Sequence, residues 1–279
     1  MRVVVFGKPR QRECTAVAEG FKTLGAAVSW LTPKGAAGEE VAYPETDIAV
    51  TFGQRVHSGR IAEEYRQRGT KVLTIDLPPL RVNGFEQTYR SLWLDHVNWL
   101  PSDCEPDRLN RLDLDFRPLN YGRDVLLCGQ TENDAAHGMG PVELRRWANT
   151  TAMAINEWHR VVWRPHPQGH FDLDLFRAMT DEPIEEVLAR GWHAVVTYNS
   201  TVGLTAILAG VPVFCDPSSF YAELCSTSLA RITEPKWTSL EERRAFFSRL
   251  AYVQWTFDEL SSGEALKFIL KQEPRQMAA

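Results

Sequence analysis

Short apolar runs alternate with amphipathic stretches through the first 76 residues. The runs at 3–6, 27–31, 48–52 and 72–75 predict buried strands. A helical stretch at 16–24, closed by Gly25, separates the first two. A second at 60–67, closed by Gly69, precedes the last. Strands alternating with helices predict right-handed βαβ units on a parallel sheet. Residues 77–123 break the rhythm. Pro78, Pro79, Pro101, Pro106 and Pro118, with a patch rich in Trp and Tyr, predict long loops, irregular helix and a connection into a second lobe.

The pattern then restarts. A strand is expected at 124–128 and a helix at 141–157, with Pro141 in its first turn, where a missing N–H costs nothing. A strand at 160–163, a helix at 183–190 closed by Gly191, and a strand at 194–197 follow. A helix at 202–209 closed by Gly210 and a strand at 212–214 complete the series. The tail, 239–271, has the pattern of two helical pieces joined near 252–256. The expected fold is α/β, with two Rossmann-like, doubly wound lobes facing across a cleft. We expect the first lobe at 1–120, the second at 121–250, and a helical tail at 251–279 packing back on the first.

Composition narrows the class. A length of 279 residues suits two lobes of about 140 each. No segment approaches the ~18 consecutive apolar residues of a membrane span, and the first residues pattern as a strand and not as a signal peptide. Cys14, Cys104, Cys128, Cys215 and Cys225 are scattered without a CxxC pair. That spacing points away from disulfides and from a zinc cage, and toward a reducing cytoplasm. The net charge of −5 argues mildly against wholesale coating of nucleic acid. It is unevenly spread: residues 1–90 carry 13 Lys and Arg against 10 Asp and Glu, the remainder 18 against 26.

In open parallel sheets, ligands collect beyond the carboxyl ends of the strands. The second lobe is loaded there. Its first strand is followed by Gly129-Gln130-Thr131-Glu132-Asn133-Asp134, its second by Arg164-Pro165-His166-Pro167, and its third by Tyr198-Asn199-Ser200-Thr201-Val202-Gly203. Asn199, Ser200 or Thr201 can cap the helix at Val202, whose free N–H groups favour an anion; a plain cap is the bland alternative. Two prolines fix the loop that carries His166.

In this order and spacing, these segments, continued by Val202-Gly203-Leu204-Thr205-Ala206-Ile207-Leu208-Ala209-Gly210-Val211-Pro212-Val213, resemble the capsule-polysaccharide transferase family. That family includes Kdo transferases and, more distantly, sialyltransferases, all glycosyltransferases of the GT-B fold. The resemblance covers residues 124–217, with an echo at 252–256. It implies a metal-independent enzyme that uses a nucleotide-sugar as co-substrate. By resemblance His166, Ser200 and Thr201 bind donor nucleotide and phosphates, in a site with Gln130, Thr131, Arg164, Tyr198 and Asn199. Thr205 stands where related enzymes often carry a glutamate for the donor ribose, which leaves the nucleotide open.

Glycosyl transfer needs leaving-group stabilisation and, for inversion, a base to take the acceptor's proton. The candidates are Asp76, at the end of its strand, and Asp95 and His96. Asp113-Leu114-Asp115 and Asp172-Leu173-Asp174 imitate an Asp-x-Asp metal clamp but have the pattern of solvated edges, and Gly138-Met139-Gly140 lacks the third glycine of a dinucleotide fingerprint.

In a GT-B fold the first lobe generally handles the acceptor. Here Lys8, Arg10 and Arg12 crowd its first strand–helix loop, and Arg55, His57, Arg60, Arg81 and Arg90 add to the lobe. This suggests an anionic acceptor, with a solvated rim as the alternative. Small transferases resembling this chain occur in bacteriophages, which glycosylate their own DNA. A 5-hydroxymethylated pyrimidine is therefore the first acceptor considered, with Tyr89, Trp93 and Trp99 supporting a flipped base. An acidic capsule or lipid-linked glycan is the second, although no polybasic amphipathic helix or lipidation site is present for a membrane. A nucleotide-sugar epimerase or a non-catalytic sugar-binding protein is the third reading.

Overall fold

The structure, a computed structural model, describes residues 1–32, 43–53, 56–82, 85–96, 99–102, 104–132, 137–169, 171, 173 and 182–272. The chain divides into two compact units, Met1–Leu112 with Ser248–Ala279, and Asp113–Phe247.

Unit 1 begins β1 (Arg2–Phe6), α1 (Arg12–Thr23), β2 (Ala27–Leu31), β3 (Ile48–Phe52), α2 (Val56–Gln67) and β4 (Lys71–Asp76). These are the expected βαβ units. Strand β1 pairs in parallel with β2 and β3, and β3 with β4. The central strands are apolar on both faces because both are covered. Val4, Phe6, Ala49 and Val72 pack against Ile61 and Tyr65 of α2.

The chain then departs from expectation. After α3 (Phe85–Thr88) comes β5 (Tyr89–Leu94), where loops and irregular helix were expected, and then α4 (Asp107–Leu112). Strand β5 runs antiparallel to β4, and the late strand β10 (Gln254–Thr256) runs antiparallel to β5. The sheet is thus mixed, in the order β10-β5-β4-β3-β1-β2.

Unit 2 is a parallel sheet in the order β7-β6-β8-β9. Its elements are β6 (Tyr121–Cys128), α5 (Pro141–Asn156), β7 (Val161–Arg164), α6 (Ile184–Leu188), β8 (Trp192–Val196), α7 (Val202–Leu208), β9 (Val213–Phe214) and the start of α8 (Leu240–Ala251). Val125, Leu127 and Trp163 of the sheet pack with Leu144, Ala148 and Ala152 of α5.

The chain re-enters unit 1 within α8 and continues through β10, α9 (Phe257–Ser261) and α10 (Glu264–Ile269). Strand β10 is only three residues long, so side chains fix it. The buried Arg108 guanidinium lies 3.8 Å from the Trp255 ring centroid, pairs with both Glu259 carboxylate oxygens at 2.6 and 3.1 Å, and donates to the Gln254 carbonyl at 2.8 Å. The Gln254 carboxamide in turn donates to the Leu80 carbonyl and accepts from the Leu80 N–H. A planar guanidinium can stack and bond bidentately at once, which a lysine could not do.

Candidate functional site

In unit 2 the chain runs from β6 outward to β7, then crosses back to β8 on the other side of β6. The gap between the ends of β6 and β8 is the switch point, where the two flanking loops diverge and leave room for a ligand. Gln130 ties these loops together. Its Nε2 donates to Asn199 Oδ1 at 2.7 Å, and its Oε1 accepts from the Asn199 N–H at 2.9 Å. Gln130 is buried, so its carboxamide serves to position the Asn199 loop.

The loop after β7 joins them. A Cβ on Gly129 would stand 2.6 Å from the Trp163 ring and 3.3 Å from the His166 N, so the close approach of the two loops requires glycine. His166 is half-buried, and its Nδ1 accepts the Gln168 N–H at 3.1 Å. In the neutral ring that assigns the remaining proton to Nε2. Arg164 is turned along the loop ahead of α6, where Nη2 donates to the Glu182 carbonyl at 3.0 Å. The Thr131 carbonyl accepts from His137, whose other ring nitrogen accepts the Met139 N–H.

Helix α7 has seven residues, and Thr201 before it makes no side-chain cap. Ser200 Oγ instead accepts the Val202 N–H at 3.3 Å. What fixes this turn is Tyr221, fully buried, which donates from its hydroxyl to the Ser200 carbonyl at 2.6 Å while its ring lies over Gly203. A Cβ on Gly203 would come within 2.7 Å of that ring. Thr205 lies further along α7 and is half-buried. Tyr198 has its ring 5.7 Å from Trp147 of α5 at 86°. Burial and the neighbouring Asp216 raise its phenol above the usual value, so its hydroxyl keeps its proton beside that carboxylate. A cavity of about 240 Å3 opens here, walled by Trp147, Thr197, Tyr198, Phe214 and Asp216 among others. His137, Trp147, Asp216 and Tyr221 are the residues the sequence reading missed.

The candidates of unit 1 are less concentrated. Asp76 closes β4 and uses Oδ1 to accept the Leu77 N–H at 2.8 Å. Asp95 and His96 follow an antiparallel strand and stand at the other end of the sheet. Asp95 Oδ1 accepts the Val72 N–H at 2.9 Å, and its N–H donates to the Val72 carbonyl at 2.7 Å. Four residues of strand, roughly 13 Å, separate Val72 from Asp76, so the structure does not bring these candidates together.

Lys8, Arg10 and Arg81 are exposed. Arg12 stacks 3.8 Å from the Phe257 centroid and donates to the Gln87 carbonyl. Arg90 pairs with Glu13 at 2.5 Å. Arg10 and Arg12 border a groove on α1 and α9 that also carries Glu19 and Asp258. Trp93 and Trp99, expected to be exposed for base stacking, are each only 5% accessible. Asp115 pairs with Arg117. Arg55, Asn133, Asp134, Asp172 and Asp174 lie outside the described residues, as does the His57 side chain. No described helix is long and apolar enough to cross a membrane.

Two α/β units, one on a parallel and one on a mixed sheet, with loops gathered at the switch point of unit 2, have the architecture of a GT-B-like fold. The particular likeness is to the KpsC β-Kdo 2,4 transferase of Thermosulfurimonas dismutans. It has 15% identity and a TM-score of 0.55, covering 94% of this chain and 98% of that one. The KpsC β-Kdo 2,7 transferase of the same organism matches at 13% identity and TM-score 0.49, covering 96% and 99% of the two chains. A UDP-GlcNAc 2-epimerase of Methanocaldococcus jannaschii matches at 11% and 0.35, covering 96% and 98%. No protein-family profile matches the chain, and no curated protein is significantly similar to it in sequence.

Proposed function

We propose that the protein is a glycosyltransferase that moves a sugar from a nucleotide-sugar donor to a hydroxyl of an anionic capsule or cell-surface glycan. The observation that carries this reading is the meeting of the loops after β6, β7 and β8, locked by the Gln130–Asn199 pair. Around that meeting stand a ring N–H on His166 and the hydroxyls of Ser200 and Thr201. These are donors suited to a leaving phosphate, whose charge grows as the glycosidic bond breaks. Arg164 contributes positive charge from the end of β7. Thr205 faces the ribose in this reading, and Gln130, Thr131, Tyr198 and Asn199 shape the site.

The acceptor oxygen bonds to the anomeric carbon, and the bond from that carbon to the phosphate oxygen breaks, leaving its electron pair with the nucleotide. Asp76 is the group proposed to take the acceptor's proton. Lys8, Arg10, Arg12 and Arg81 supply the positive field for an anionic acceptor, with Lys8, Arg10 and Arg81 exposed.

A hydroxymethylated pyrimidine in DNA is less well supported. Trp93 and Trp99 are buried, and Arg12 and Arg90 are engaged with Phe257, Gln87 and Glu13. Incubation with a nucleotide-sugar panel, alone, with acidic glycans, and with hydroxymethylated DNA, tests the reading. Donor consumption that requires the glycan, with a matching mass gain on it, is the expected result. Modified DNA would move the acceptor, and an isomerised donor without any acceptor would replace transfer by epimerisation.

A further inference from the structure

The cavity beside Tyr198 has walls of a particular chemistry. Trp147 and Tyr198 meet edge to face and form an aromatic corner, while Val196, Phe214 and Leu229 supply apolar surface. Thr197, also in the wall, is 1% exposed, and its hydroxyl has no hydrogen-bond partner among the described residues. A buried hydroxyl without a partner is costly, which is why such groups in folded proteins call for an explanation. Asp216 holds Ser218 through its N–H and hydroxyl, and it neighbours Tyr198. A carboxylate has about four acceptor sites, so it can also take a ligand hydroxyl. No Lys, Arg or His is among the described lining residues.

Size limits the occupant. About 240 Å3 is below the roughly 300–1,000 Å3 of pockets that take drug-sized ligands, so the space suits one ring and not a whole nucleotide-sugar. Aromatic faces suit the C–H face of a pyranose, and hydroxyl and carboxylate groups suit its rim. A ligand carboxylate would be desolvated beside Asp216 with no cation among the described lining residues to pair it.

We propose that this cavity is the subsite for a neutral sugar ring, a hexose or an N-acetylhexosamine, and that it rejects an acidic sugar. This rests on the reading of unit 2 as the donor-binding unit. It departs from the acidic sugar that the KpsC enzymes transfer by name, because Asp216, with no cation among the described lining residues, opposes a second carboxylate.

Calorimetric titration of the full chain with UDP, UDP-glucose, UDP-glucuronate, CMP and CMP-Kdo tests it. The expected result is UDP-glucose binding at least about tenfold tighter than UDP, equivalent to about 1.4 kcal/mol, with UDP-glucuronate and CMP-Kdo no tighter than their bare nucleotides. Ser228 is exposed at the cavity wall. Ser228→Trp should remove the glucose increment and leave UDP affinity unchanged. Thr197→Val, close in shape but without the hydroxyl, should weaken UDP-glucose while raising Tm, a pair of changes that a merely structural threonine would not give. Nucleotide binding without a glucose increment overturns this inference alone, as does an increment for glucuronate or Kdo. Binding of no nucleotide overturns it together with the donor reading.

Discussion

Gln130 and Asn199 hold each other through both ends of one carboxamide, at 2.7 and 2.9 Å, across the gap between β6 and β8. This two-ended bond depends on the amide, since a carboxylate at position 130 could accept from the Asn199 N–H but not donate to its Oδ1. Gln130→Glu should therefore lose one bond and bury a charge, lowering stability by about 1–3 kcal/mol and weakening donor binding. Thermal melts with and without nucleotide check both.

The contact between Tyr221 and Gly203 makes a second prediction. Gly203→Ala places a methyl against the buried ring and should cost about 1–3 kcal/mol as overpacking. In a Tyr221→Leu background the ring is gone, and the same substitution should cost much less. A double-mutant cycle by denaturant unfolding measures the coupling, and additive costs would refute the contact.

His166 offers a test of the donor loop that leaves the fold alone. His166→Ala should cut transfer at least about tenfold, through loss of a contact to a charged group of roughly 1.5–3 kcal/mol. The unfolding midpoint should stay close to that of the wild type, because the side chain is only half-buried. Full activity in this variant would remove His166 from the site.

A pH effect is expected from the stacked rings of His159 and His193, whose centroids are 3.8 Å apart. Burial lowers the His193 pKa below its usual value, and His159 lowers it further, against the bond that His193 makes to the Ile232 carbonyl. The unfolded chain takes up the proton near pH 6.5 and the folded chain only at lower pH. The stability from the neutral ring is therefore complete above about 6.5 and is lost as pH falls through the folded value. Melting temperatures from pH 8 to 5 should fall in the wild type and flatten in His193→Gln.

The parallel parts of the fold are legible because their signals are local. Central strands such as β3 and β6 carry unbroken apolar runs, and Gly25, Gly69, Gly191 and Gly210 take a positive φ where helices end. Strands β5 and β10 are not legible. One follows a proline-rich loop, and the other is three residues long and held by Arg108, far away in sequence. That omission explains why Asp95 and His96 were grouped with Asp76: an antiparallel strand carries its carboxyl end to the opposite edge of the sheet. In unit 2 the strand-end rule finds the loops after β6, β7 and β8. Extended to β9 it would also have found Asp216. Trp147 and Tyr221 give no such sign, because an aromatic residue facing a site is indistinguishable in sequence from one filling a core.

The division of unit 1 by unit 2 has a consequence for biosynthesis. A chain emerging from the ribosome presents Met1–Leu112 first, but β5 then lacks the strand that pairs its outer side, and Arg108 lacks Glu259. Asp113–Phe247 emerges uninterrupted, with all four strands of its sheet. The order of completion is thus the reverse of the order of appearance, and the first strands made wait for the last helices.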